Sequence, residues 1–212
     1  MACPGWAKLA PRTALAAAGP PPPSVEQPAT HFLPLFPLDI VVFPGEFVPL
    51  HIFEPRYKQL ITECAESGIS FGIVTVVPGG ASSIGTEMKV DGVVRMHENG
   101  NMDVATRGIR TFELTTIQPA VEGKLYSGGR VSFNTNDPRT EPDTQNTLVE
   151  LYNRMQYLAG SSRKIVAPYP ENLTFVIGHD VGLSRAQELQ LLTKPVEHDR
   201  QVYLLEHLAR LF

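Results

Sequence analysis

Cysteine is nearly absent from this chain: Cys3 and Cys64 are the two in 212 residues. They cannot build a disulfide framework or a multi-cysteine zinc site, so a reducing compartment, the cytoplasm, is the expected setting. Long apolar runs are missing too, and none approaches the roughly 20 residues a membrane-spanning helix needs. There is no basic excess, with 18 Lys and Arg against 22 Asp and Glu, and that balance weighs against a strong pull toward nucleic acid. No Gly-x-x-x-x-Gly-Lys-Ser/Thr loop is present to cradle a triphosphate, so no nucleotide cofactor is expected. The six histidines, His31, His51, His97, His179, His198 and His207, contain no His-Glu-x-x-His pattern and no paired ligand spacing, so no metal is expected. Ser82-Ser83 lack a Gly-x-Ser-x-Gly elbow, and no catalytic residue is assigned.

What is present is 42% apolar residues, enough for one sizeable core or two small adjoining ones. Residues 1–30 differ from the rest. Half of them are Ala or Pro, including the run Pro20 to Pro23, and such a segment buries too little apolar surface to offset its ordering. It reads as a disordered arm or the product of a mis-assigned start, ahead of a targeting segment, because Arg12 interrupts the short apolar stretch.

From His31 to Phe53 the chain is apolar but broken by Pro34, Pro37, Pro44 and Pro49. These predict short, irregular strands with a turn at Pro44-Gly45. Tyr57, Leu60, Ile61, Cys64 and Ala65 then recur at helical spacing, with Pro55 suited to the first helical position and Gly68 to the exit. Phe71 to Val77 reads as a buried strand and Pro78 to Gly85 as a flexible loop. Glu87 to His97, Met102 to Ala105, Thr111 to Ile117 and Arg130 to Phe133 read as strands in sequential antiparallel pairing, with a hairpin turn at Asn99-Gly100. After a polar stretch with Pro138 and Pro142 the pattern becomes helical. Leu148, Leu151, Tyr152, Met155 and Leu158 share one face that ends at Gly160, and Leu173 to Ile177 forms a second short helix. Ser184 and Gln187 make a capping box, and Val202, Leu205, Leu208, Ala209 and Phe212 mark a closing helix. Strands followed by helices predict an α+β chain, with a β-rich unit over 31–140 and a helical unit over 141–212.

Four segments carry a resemblance: Leu33-Pro-Leu-Phe-Pro-Leu38, Val42-Phe-Pro-Gly45, Pro49-Leu-His-Ile-Phe53 and Glu54-Pro-Arg-Tyr57. With Phe71-Gly-Ile73 and Arg110-Thr-Phe112 they resemble the Lon substrate-binding (LON) domain, over roughly residues 31–212. The resemblance implies a PUA-like β unit followed by a helical bundle. It also implies a non-catalytic module that binds unfolded polypeptide or a protease or chaperone partner. The ATPase and the Ser-Lys peptidase of Lon proteases belong to later domains, to which nothing here corresponds. Two other readings stay open: a scaffold for one folded partner, and a PUA-like RNA-binding module. Arg95, Arg107, Arg110, Lys124 and Arg130 would serve the latter, although acids are interleaved among them.

Phe36, Phe43, Phe47 and Phe53 are too many to be scattered surface residues. Most belong in the core, and any left exposed between the β unit and the helices would line a groove for an apolar peptide segment. Glu54, Pro55, Arg56 and Tyr57 form the family signature, read as structural: Glu54 at the helix N-terminus, Arg56 tying the helix to neighbouring strands. Cys64 and the His179-Asp180 pair read as core and as a solvated helix end.

Overall fold

The computed structural model describes residues 29–211. The expected arm, up to residue 28, and Phe212 lie outside the described residues. The chain is α+β. Its strands are β1 (His31–Leu38), β2 (Phe47–Ile52), β3 (Phe71–Val77), β4 (Gly80–Met96), β5 (Met102–Gln118) and β6 (Gly128–Phe133). Helix α1 (Pro55–Ser67) interrupts them, and α2 (Pro142–Leu158), α3 (Leu173–Ile177), α4 (Arg185–Leu192) and α5 (Glu197–Leu208) follow.

The pairing is less local than a run of hairpins. β3, β4, β5 and β6 are antiparallel in sequence order, but β1 inserts between β3 and β6, parallel to the former and antiparallel to the latter. Because β6 also pairs with the second half of β5, five strands close on themselves and leave no open edge among them. Among the described residues β2 pairs with the first half of β5 alone, at Phe47 to Arg107 through Ile52 to Met102, and is the sheet's edge. The stretch Pro78 to Gly85, expected as a loop, is mostly strand. Only the turn before Gly80 is free, and buried Ser82 accepts a hydrogen bond from the Thr75 amide (3.0 Å) while donating to the Ile84 carbonyl (2.6 Å). Cross-strand partners overrode a composition that locally favours turns. The segments Met102 to Ala105 and Thr111 to Ile117 are likewise one continuous strand.

Side chains fill the barrel where glycine makes room. Phe112 is fully buried, and a Cβ on Gly72 or Gly85 would lie 2.7 or 2.6 Å from its ring. Helix α1 begins at Pro55 and ends at Gly68 in the left-handed region (φ 66°), a conformation that favours glycine. Its Tyr57, Leu60, Ile61 and Cys64 pack on Phe36, Ile52, Phe71 and Met102. Burial pushes the Cys64 thiol up to about 12, as expected of a core cysteine.

The helices form a second cluster around Leu148, Tyr152, Leu173, Leu191 and Leu204, which takes in Val41, Phe43 and Ile84 from the strands. The Ser184–Gln187 capping box is present. Two details depart from expectation. Leu158 is exposed, because α2 turns it off the face that holds Leu148 and Tyr152. In α5 the covered face is Glu197, Arg200, Gln201, Leu204 and Leu208 rather than the one through Val202 and Leu205. That face is polar because Arg200 and Glu197 pair inside the protein at 2.7 Å.

Candidate functional site

The end of β2 and the start of α1 enclose a recess of about 260 Å³ against β1. Its floor is aromatic: the Phe36 and Tyr57 rings stack at 3.9 Å, and the Arg56 guanidinium lies 4.5 Å from the Tyr57 centroid on its way to the rim. Leu38 and Leu50 add apolar wall, and Phe53 stands at the mouth. Glu54 accepts hydrogen bonds from Arg56 (2.9 Å from Nε), so acid and base neutralise each other at the rim. Burial raises the Tyr57 phenol above its usual range, against the opposing pull of Arg56. The volume is near the lower end of ligand pockets, about 300 Å³, and fits one large apolar side chain rather than a whole cofactor.

The four phenylalanines separate into two pairs. Phe36 and Phe43 are buried at 5% and 0% exposure, while Phe47 and Phe53 are 54% and 60% exposed. Phe36 contributes to the recess floor. Phe43 corrects the expectation of a groove between strands and helices, because it plugs that junction itself: it stacks on Phe175 at 5.4 Å and meets the tilted ring of His179 at 4.3 Å. Phe47 and Phe53 instead belong to the edge strand. β2 alternates exposed Phe47, Pro49 and His51 with covered Val48, Leu50 and Ile52, and Phe53 is exposed just beyond its end. From Phe47 to Phe53 an extended chain covers about 20 Å at roughly 3.3 Å per residue.

The signature residues differ in detail from expectation. Pro55 opens α1 as expected, but the Glu54 side chain makes no cap hydrogen bond. Its carboxylate is held by Arg56, which therefore braces the turn before the helix rather than a neighbouring strand. His179 is not a simple solvated end: it lies between Glu46 (3.1 Å) and Glu188 (2.7 Å), while Asp180 accepts from Tyr152 and Arg163.

A larger, open cavity of about 840 Å³ lies between the start of β1 and the end of α1. Its charged groups are engaged with each other: Glu63 with Lys124 (2.8 Å) and Tyr126 (2.6 Å), and Glu87 with Ser70 and Arg110. Arg107 is held by Asp91 at 3.0 Å. Three of the five basic residues considered for RNA thus face carboxylates. No helix among the described residues is long and apolar enough to cross a membrane.

Sequence reasoning missed one cluster. His51 on β2, His97 just after β4 and Asp103 on β5 converge, with ligand atoms all within 4.8 Å of one another. Positions 46 apart carry no spacing motif; the Asn99-Gly100 hairpin was the sole hint that His97 and Asp103 are neighbours.

The model of the ATP-dependent protease La (LON) substrate-binding domain matches residues 32–210. Among solved structures, the chain is similar to a Lon N-terminal domain protein from Xanthomonas campestris, at 27% identity and TM-score 0.66, over 83% of this chain and 98% of that one. It shares its fold with the N-terminal domain of Mycobacterium avium complex Lon protease, at 20% identity and TM-score 0.63, over 84% and 98%. No curated protein matches the chain.

Proposed function

Given that the chain belongs to the LON substrate-binding domain family, we propose that it is a non-catalytic polypeptide-recognition module and that its contact surface is the outer face of β2 with the recess beside it. The observation that carries this reading is the exposed Phe53 at the mouth of a recess floored by Phe36 and Tyr57. An unfolded segment, or an extended segment of a protease or chaperone partner, lies along Phe47, Pro49 and His51 and inserts one apolar side chain into the recess. Burying a large aliphatic or aromatic side chain there is worth about 1.5–3 kcal/mol. That is too little for tight binding alone and suits a site that samples many sequences weakly. Because β2 has, among the described residues, a strand partner on one side only, backbone pairing along its edge can add affinity without sequence preference. Pairing of Glu54 with Arg56 leaves the rim polar without a strong field of either sign.

The test is fluorescence anisotropy of the full chain with a labelled denatured polypeptide, the same polypeptide folded, and an RNA oligomer, each at two salt concentrations. Saturable binding to the denatured chain, weakly dependent on salt and reduced by Phe53→Ala, is the expected result. Binding of RNA alone with a steep salt dependence overturns the reading. So does indifference to the denatured chain together with capture of one native partner, the behaviour of a dedicated scaffold.

A further inference from the structure

We infer that His51, His97 and Asp103 form a binding site for a divalent transition metal, of the zinc, cobalt or nickel kind, on the sheet beside the β4–β5 hairpin. The three side chains come from adjacent chain segments. His51 and Asp103 are direct partners across the β2–β5 ladder, and the hairpin returns His97 to the same place, its amide donating to the Asn101 carbonyl (2.8 Å). The carboxylate links the rings: Asp103 Oδ1 is 2.6 Å from His51 Nδ1 and Oδ2 is 2.7 Å from His97 Nε2. The rings stand edge to face, centroids 5.5 Å apart.

A zinc ion bonds imidazole nitrogen and carboxylate oxygen at about 2.0–2.2 Å, so donors on one ion lie at most about 4.3 Å apart. The donor atoms here all fall within 4.8 Å of one another, so side-chain rotations of about half an ångström at the donor atoms would bring them onto one ion. Each ring would bind the ion as a neutral imidazole, His51 through Nδ1 and His97 through Nε2, in the tautomer that keeps its one proton on the outer nitrogen, and any further proton held against Asp103 is released to solvent. Two imidazoles and one carboxylate match borderline transition metals; calcium and magnesium prefer all-oxygen shells. The side chains are 53%, 29% and 39% exposed, so the remaining coordination positions open to water or to a donor from another molecule, and the ion is exchangeable. Without an ion the same three side chains form a hydrogen-bonded clasp that holds the hairpin to the edge strand. This inference does not rest on polypeptide recognition.

The experiment is calorimetric titration of the untagged full chain with Zn²⁺, with Co²⁺ absorption as a second probe, on wild type, His97→Ala and Asp103→Asn. Expected are saturable one-to-one binding, no competition from Ca²⁺ or Mg²⁺, and affinity at least about tenfold weaker in each variant, since loss even of a ligand's supporting partner costs 10–100-fold. Absence of binding to wild type, or binding unchanged in both variants, overturns the site. A measurement that needs no variant follows the imidazole proton resonances during Zn²⁺ addition to wild type. Shifts confined to two of the histidines, assigned as His51 and His97, uphold the site, and unmoved resonances for that pair overturn it.

Discussion

Gly178 lies against the ring of Phe43: a Cβ at that glycine would be 2.6 Å from Phe43 Cε2. Gly178 has an ordinary helical backbone and needs no special conformation. It is glycine because the flat aromatic ring arriving from the β unit occupies the space of a side chain. The relationship joins the strands to the helices at one point of close approach. Gly178→Ala should therefore destabilise the protein by about 1–3 kcal/mol through overpacking, and Phe43→Ala by about 3–5 kcal/mol through cavity formation. Chemical denaturation of both variants and of the double variant checks this. The two effects should be clearly non-additive, because the smaller residue at 43 accommodates the methyl at 178.

Phe36 and Phe53 line the same recess but should behave oppositely. Phe36→Ala removes a buried ring stacked on Tyr57 and should cost about 3–5 kcal/mol. Phe53→Ala, at an exposed position, should leave stability within about 0.5 kcal/mol while weakening binding of denatured polypeptide. Thermal unfolding and anisotropy measured in parallel separate the two roles, and a large loss of stability in Phe53→Ala would contradict the placement.

His179 should make stability depend on pH on the alkaline side. Its hydrogen bond with Glu46 raises the imidazole to about 9 from an ordinary 6.5, burial opposing and Glu188 adding to the rise. A group whose folded value is raised contributes in full below about pH 6.5 and loses that contribution as pH climbs through 9. The side chain is more than a third exposed, so solvent screens the pair and the effect is of the order of 1 kcal/mol or less. The melting temperature of wild type should fall between pH 7 and pH 10 relative to His179→Gln, and parallel curves would refute the assignment.

The interior pair of α5 predicts an asymmetry between single and double substitution. Arg200 donates to Glu197 (2.7 Å), Asn136 (2.6 Å), the Lys194 carbonyl (2.7 Å) and Thr174 (3.0 Å), while Glu197 accepts from the Thr174 amide (2.9 Å). Arg200→Met strands a buried carboxylate and should cost about 3–5 kcal/mol. Glu197→Leu combined with Arg200→Met should cost much less than the sum of the single changes, as equilibrium unfolding can determine.

Local features were readable along the chain. The start of α1 at Pro55, its exit at Gly68, the capping box at Ser184 and the burial of Cys64 follow from preferences that act within a few residues. The resemblance carried by Leu33 to Tyr57 extended that reading to the family. The recess was half legible: Phe36, Phe53, Glu54, Arg56 and Tyr57 were all singled out, yet Phe43 and Phe47, chosen on the same grounds, point elsewhere. Residue type identifies an aromatic as worth burying but not which neighbour covers it. The α5 face was missed for a related reason, since an unpaired buried ion costs several kcal/mol, whereas Arg200 and Glu197 become interior residues once they have each other.

The sequence alone determined the order of strands before helices, the helix boundaries set by Pro55, Gly68 and Ser184, and the lack of a phosphate loop, because each depends on neighbours along the chain. Tertiary structure decided the insertion of β1 between β3 and β6, the choice of Phe43 as plug and Phe53 as exposed mouth, and the meeting of His51, His97 and Asp103. Those depend on pairing register and on which surfaces cover one another, and such contacts form between residues whose separation in sequence carries no periodic signal.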